Sequence, residues 1–525
     1  MEVTRDTRQA AGEGAGRAEA RPEDDARHAA SDARHVVGGD TRRATRDMSH
    51  AACRVSSLGD ASRPMKPSGI PWLGDVPEEW GIAPLYKLVS QVRALNDGVK
   101  EKNLLSLSYG RIIRKDIETA AGLVPESYAG YNRIEPNDIV LRLTDLQNDQ
   151  KSLRVGLSHE RGIVTSAYLT IRPGDESSTD YLAYAIKLFD FKKGFYGIGS
   201  GVRQSLKFGE VKKIAMPFPP LSEQRLIARF LDGVGARIDG LKAKMASEIE
   251  RLEAYKRSFI AEAVAGRWSA GNDTRRAAGD TRDGRATRDT RKSHAEMSPR
   301  LSHDACRVSS PGGASRPMKP SGIPWLGDVP EEWVVVRNKA FMKLTSEKVG
   351  ERQDEFPLLS LSKQGVIIRD VSEGKGKFPK DFTTYLVVRP GNLVFCLFDV
   401  AETPRTVGLV KNIGMLSGAY TNFEIDTSLV LPEFAYYYYI AVDDFKRLEP
   451  YYTGLRKIVK TETFMGIKFP LPPLSEQREI AAMIDRRIAT IDAVIAKRKA
   501  ERERLDALKK SIICEAVTGR KEIQQ

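Results

Sequence analysis

The residues of this chain best suited to a chemical task are cations set beside glycines. Gly201-Val202-Arg203 is followed by Lys207, Lys212 and Lys213. At a shift of 253 residues, Gly454-Leu455-Arg456 is followed by Lys457 and Lys460. A glycine lets backbone come close to a ligand, and an adjacent guanidinium fits a phosphate or the edge of guanine. A turn glycine beside a solvated or core-paired arginine is the plainer reading of the same residues. A second echo, Leu104-Leu-Ser-Leu-Ser-Tyr-Gly-Arg-Ile-Ile-Arg against Leu358-Leu-Ser-Leu-Ser-Lys-Gln-Gly-Val-Ile-Ile-Arg, adds Arg111, Arg114, Lys363 and Arg369. Arg142 lies in the β-type run Asp138-Ile-Val-Leu-Arg-Leu. These twelve cations are the candidate nucleic-acid contacts.

Motifs for catalysis are missing. The sequence has no GxxxxGK[ST] loop, no GxGxxG, no HExxH and no GxSxG. His159 has no evident partner and its counterpart at the same shift is Asn412, so a surface or structural histidine is expected. Cys53, Cys306, Cys396 and Cys514 form no CxxC pair, which excludes a metal-finger spacing and suits a reducing, cytoplasmic location. A charged start without an apolar core reads as no signal peptide, and no run of about eighteen apolar residues appears. The net charge of +13 and pI near 9.3 suit an anionic partner without requiring one.

The elements that must position these residues come twice. Ser49–Trp80 reads SHAACRVSSLGDASRPMKPSGIPWLGDVPEEW, and Ser302–Trp333 repeats it except at Ala51/Asp304, Leu58/Pro311 and Asp60/Gly313. PFPPLSEQR at Pro217 returns as PLPPLSEQR at Pro470. A period this long is that of a whole domain plus a connector, not of a solenoid. Residues 1–64 and 267–318 are rich in Arg, Asp, Ala, Gly and Ser, lack apolar periodicity, and read as a disordered tail and a flexible linker. Residues 65–218 and 319–471 mix short β-type runs with helix-like pieces, the pattern of two α/β globules. The β-runs include Gly162–Ile171, Asn392–Phe398 and Val407–Val410.

A long helix follows each globule, within 219–266 and 472–520. Ser222 and Ser475 suit the N-cap, and Gly266 and Gly519 suit the C-terminal glycine. Each helix is then roughly 44 residues, or about 66 Å. Apolar seams run through Ile227, Leu231, Val234, Ile238, Leu241 and Leu252 in the first, and Ile480, Ile484, Ile491, Val494, Leu505 and Ile512 in the second. Such stripes need a partner, and the economical solution is that the two helices pack on each other as an antiparallel coiled coil. The expected fold class is α+β: two mixed α/β globules separated by a helical rod, with pseudo-two-fold internal repetition. Arg487 and Arg498 interrupt the second seam and are expected to face a partner protein.

The duplicated layout, the GIPWLGDVPEEW opening and the PxPPLSEQR helix start resemble the specificity subunits of type I restriction–modification enzymes, over roughly Lys66–Arg267 and Lys319–Arg520. The resemblance implies two target recognition domains, each reading one half of a bipartite, asymmetric double-stranded DNA site, with the helices as a ruler. It implies a non-catalytic role, with no cofactor or metal in this chain. Methyltransferase (modification) subunits would bring S-adenosylmethionine, and an ATP-dependent restriction and translocase subunit would bring ATP and Mg. The competing reading is a coiled-coil adaptor that joins protein partners without touching DNA.

Overall fold

The computed structural model describes residues 63–116, 127–146, 153–198, 205–267, 316–369 and 381–523. The expected tail and linker therefore lie almost wholly outside the described residues, and so does Arg203. The chain divides into two compact units, Met1–Ala243 with Arg502–Gln525, and Lys244–Glu501. Each long helix is shared between them: Leu221–Val264 begins in the first unit and ends in the second, and Leu474–Val517 does the reverse.

Both α/β halves follow one plan. In the first, Val89–Val92, Leu169–Pro173, Ile139–Leu141 and Val155–Leu157 form a four-stranded antiparallel sheet in that spatial order. In the second, Met342–Thr345, Thr421–Ile425, Leu393–Phe395 and Val407–Leu409 repeat the order. The β-run expected over Gly162–Ile171 is two strands, Gly162–Val164 and Leu169–Pro173. They are separated by a turn in which the Tyr168 amide donates to the Thr165 carbonyl at 3.0 Å. Thr165 and Ser166 are weak turn formers, and the Thr165 hydroxyl accepts the Ala167 amide at 3.4 Å, so the break is only faintly marked in composition.

Helices Thr179–Phe191 and Pro432–Asp444 close the two cores. Leu182, Ile186 and Phe189 are buried in the first, Phe434, Tyr438 and Tyr439 in the second. Each such side chain contributes about 1.5–3 kcal/mol relative to leaving it in water. The first unit's core also takes Ile513, Cys514, Ala516 and Val517 from the second long helix. The second unit's core takes Phe259, Ile260, Ala263 and Val264 from the first.

Both long helices have 44 residues and pack antiparallel within each unit. In the first unit Lys509 donates to Asp239 at 3.0 Å and Lys242 pairs with Asp506. In the second, Lys256 donates to Asp492 at 2.7 Å and Arg498 reaches Glu248 at 2.9 Å. Asp239/Lys509 and Asp492/Lys256 are the same contact with the copies exchanged. The buried row includes Ile227, Leu231 and Ile238 on one helix and Ile480, Ile484 and Ile491 on the other. Val234, Leu252, Leu505 and Ile512 are half-buried.

Three expectations fail here. Leu241 and Val494 are 47% and 41% exposed, and Ile495 takes the buried place beside Val494. Helical rotation at 3.6 residues per turn carries a strict three-four count off the contact line. Arg487 and Arg498 face the first helix: Arg487 donates to the Tyr255 hydroxyl at 2.9 Å and stands over Tyr255 and Phe259. The helices begin at Leu221 and Leu474, one residue ahead of the serines. The Pro220 and Pro473 carbonyls accept the first amides, from Gln224 and Gln477. Ser222 and Ser475 thus lie in the first turn.

Candidate nucleic-acid interface

The repeated motifs hold each half onto its helix. The Trp80 indole donates to Glu223 Oε2 at 2.9 Å, and Trp333 donates to Glu476 Oε2 at 2.9 Å. Arg63 and Arg316 close the same carboxylates from outside, at 2.5 and 2.6 Å. Those bonds hold both guanidinium groups above their ordinary pKa. The next residue works inward: Gln224 accepts the Ser178 amide at 2.8 Å and donates to the Pro219 carbonyl at 2.9 Å. Gln477 does the same with Leu431 and Pro472, at 2.7 and 2.8 Å. The Glu-Gln pair of LSEQ therefore fixes the opening Trp and the start of the domain helix at once. Sequence reasoning saw only a helix start; the signal was that EEW and SEQ are duplicated together.

A second brace runs from the domain helix to the long helix. Tyr184 donates to Asp232 at 2.7 Å, and Tyr437 donates to its counterpart Asp485. Burial, first, and the carboxylate, second, push both phenols well above their ordinary range.

On this frame sit two hairpins, Leu105–Ser108 with Arg111–Arg114, and Leu359–Ser362 with Gly365–Ile368. Gly156 and Gly408 let them lie on the sheet. A Cβ on Gly156 would meet Leu107 at 2.5 Å, and one on Gly408 would meet Val366 at 2.6 Å. The two tips differ. The first carries Tyr109, 83% exposed, and Gly110, both at positive φ, as a tight two-residue hairpin turn requires. The second carries exposed Lys363 and Gln364.

The candidate cations fall into several arrangements. Arg111 pairs with Asp239 on the first long helix, the carboxylate that also receives Lys509. Arg111 is thus a strut between hairpin and helix, and its place in the second copy is taken by Gly365. Arg114 donates to Glu160 at 2.6 Å, which holds that carboxyl below its ordinary pKa. Arg142 is half-buried, and its carbonyl accepts from the Arg154 guanidinium at 3.0 Å. Lys207 and Lys460 occupy matching places at the start of two short helices, Phe208–Val211 and Thr461–Met465. Lys213 and Arg369 are exposed, and Lys212 is half-buried. Arg456 and Lys457 lie on one loop, paired with Asp399 at 2.7 Å and Glu402 at 2.8 Å. His159 is exposed on a turn.

Two residues outside the candidate set matter for shape and charge. Arg154 is fully buried and holds the segment after Ile139–Leu141, donating to the carbonyls of Arg142 and Thr144 at 3.0 Å and to Tyr196 at 3.1 Å. Nothing in its local sequence separates it from a surface arginine. Glu347 accepts from Arg389 at 2.7 Å and Arg352 at 2.8 Å, which lowers its pKa to about 2. Among the described residues no group of three or more His, Cys, Asp or Glu side chains is placed to hold a metal, and no helix is long and apolar enough to cross a membrane.

Comparison with known proteins agrees with this construction. The family described as "Type I restriction modification DNA specificity domain" matches twice, at residues 155–251 and 407–504. The type I restriction enzyme StySPI specificity subunit of Salmonella potsdam is 26% identical over 210 residues, covering 37% of this chain and 44% of that protein. The MjaVIII specificity subunit of Methanocaldococcus jannaschii is 22% identical over 466 residues, covering 85% and 93%. This chain therefore aligns with less than half of the first relative and nearly all of the second. A solved chain from work on "complex assembly" and "conformational transition of the type I R-M system" shares the fold, with a TM-score of 0.54 at 13% identity, covering 84% of this chain and 98% of that one.

Two α/β halves, each joined to long paired helices and each matching the specificity-domain family, define a duplicated scaffold. In both copies the chain is similar to the specificity subunits of type I restriction enzymes.

Proposed function

We propose that this chain supplies the DNA address of a type I restriction–modification complex. Each α/β half reads one half of a bipartite, asymmetric site, and the helices set the spacing between the half-sites and dock methyltransferase subunits. Those subunits bring S-adenosylmethionine, and an ATP-dependent restriction subunit brings ATP and Mg. The complex works in the cytoplasm, where the DNA is. One observation carries this reading: the scaffold is the same in both halves, while matching exposed positions differ. Exposed Tyr109 on one hairpin corresponds to exposed Lys363 on the other, and exposed Arg111 corresponds to Gly365. One scaffold with two surfaces suits two different half-sites. Helices of about 66 Å match roughly two turns of DNA, taking about 34–36 Å per turn.

A second reading has an observation of its own. Arg111, Arg114, Arg456 and Lys457 all have carboxylate partners, as in an adaptor that never meets phosphate. Exposed pairs of this kind contribute little, so a phosphate can displace the carboxylate at small cost. Binding of the chain with its methyltransferase subunits to duplex DNA, measured from low to high salt, separates the two. The expected result is affinity that falls steeply with salt and favours one sequence. Association with the methyltransferase but with no salt-dependent affinity for DNA establishes the adaptor.

A further inference from the structure

Leu455 is the most exposed large apolar side chain among the described residues, at 103% of its reference accessibility. It stands at the tip of a tight loop that is held from several sides. Thr453 and Ile458 exchange backbone hydrogen bonds at 2.9 and 3.0 Å, and the Thr453 hydroxyl donates to the Ile458 carbonyl at 2.9 Å. Inside that bracket the Lys457 amide donates to the Gly454 carbonyl at 3.1 Å, with Gly454 and Lys457 both at positive φ.

The loop is also strapped to its neighbour, residues 398–403. Arg456 grips Asp399 with two nitrogens, at 3.3 and 2.7 Å, and stands over the Phe398 ring. The Asp399 amide donates back to the Arg456 carbonyl at 2.9 Å, and Lys457 closes on Glu402 at 2.8 Å. Lys457 accepts a left-handed backbone angle, which costs nothing at Gly454, two cations take local partners, and the product is a leucine held in water. A stray exposed leucine on a loose loop needs no explanation. One held out by these hydrogen bonds, with Arg456, Lys457 and Lys460 close by in the chain, is built to be covered by something both apolar and anionic. Base edges flanked by phosphates meet that description. The sequence points the same way, since the first copy also puts an aliphatic residue between glycine and arginine, in Gly201-Val202-Arg203.

We propose that Leu455 is a specificity-determining residue that makes an apolar contact with the bases of the half-site read by the second domain, and that Arg456 and Lys457 position it. This rests on the DNA-addressing function proposed above. Apolar side chains discriminate bases through the thymine methyl group or by pressing into a base step.

The test uses the full chain with its methyltransferase subunits, on duplexes carrying the motif that the wild-type complex methylates. Leu455→Ala is expected to lower the methylation rate roughly tenfold and to relax discrimination at one or two adjacent base pairs of a single half-site. The other half-site should stay as stringent as before, and Leu455→Met should restore most of the loss. An unaltered thermal transition shows that Leu455→Ala remains folded. Equal weakening on every duplex, or wild-type discrimination by Leu455→Ala, overturns the assignment while leaving the DNA-addressing function standing. Absence of any motif with the wild-type complex overturns that function, and this inference with it.

Discussion

Glu223 and Glu476 each hold an indole and a guanidinium, joining the two duplicated motifs of their copy. Glu223→Ala leaves the buried Trp80 N–H without an acceptor and Arg63 without its main partner. The expected cost is about 1–3 kcal/mol, read as a lower thermal midpoint, with Glu223→Gln closer to wild type because it keeps an acceptor. Matching losses are expected for Glu476→Ala against Trp333. An unchanged midpoint for both alanine variants contradicts the clamp. The candidate cations behave differently, because Arg114 and Arg456 sit in exposed pairs whose loss changes stability little. Their effect belongs to binding.

At the scale of elements, the helix contact is sharper than the apolar pattern alone suggests. Ile238 is buried while Leu241 is about half exposed, so the two should respond differently to the same change. Ile238→Asp is expected to destabilise by more than about 3 kcal/mol, and Leu241→Asp by about 1 kcal/mol or less. Comparable denaturant midpoints for the two variants contradict this seam. Gly233 in the first long helix and Gly266 just past its end form a second pair. Gly233 lies mid-helix with open space where a Cβ would go, so Gly233→Ala should stabilise by about 1 kcal/mol. Gly266 has φ +69 and a Cβ there would lie 2.6 Å from Pro330, so Gly266→Ala should cost at least about 2 kcal/mol. Thermal melts of both variants check the signs. The helix lengths and terminal glycines were legible because periodicity and capping are local. The break at Thr165–Tyr168, the burial of Ile495 over Val494 and the inward turn of Arg487 were not, because each depends on what lies across the contact.

At the scale of the whole molecule, the duplication was legible in full, since near-identical segments recur at one shift. The family resemblance followed from the same residues. The candidate interface was legible only as a set of charges: sequence marked Arg111, Arg114 and Arg456 but not their partners Asp239, Glu160 and Asp399, which lie far away in the chain. It marked Gly454-Leu-Arg456 as a loop, yet the rigid presentation of Leu455 appears only with the strap to residues 398–403. The central claim is that each half reads its own half-site. The most direct measurement is a methylome by long-read sequencing from cells carrying the intact gene, the deleted gene, or a gene whose residues 81–216 are replaced by 334–469. The account predicts adenine methylation at one asymmetric bipartite motif with the intact gene and none there after deletion. The exchanged gene should give a motif made of one half-site as an inverted repeat. Methylation of the original asymmetric motif by the exchanged protein would contradict it.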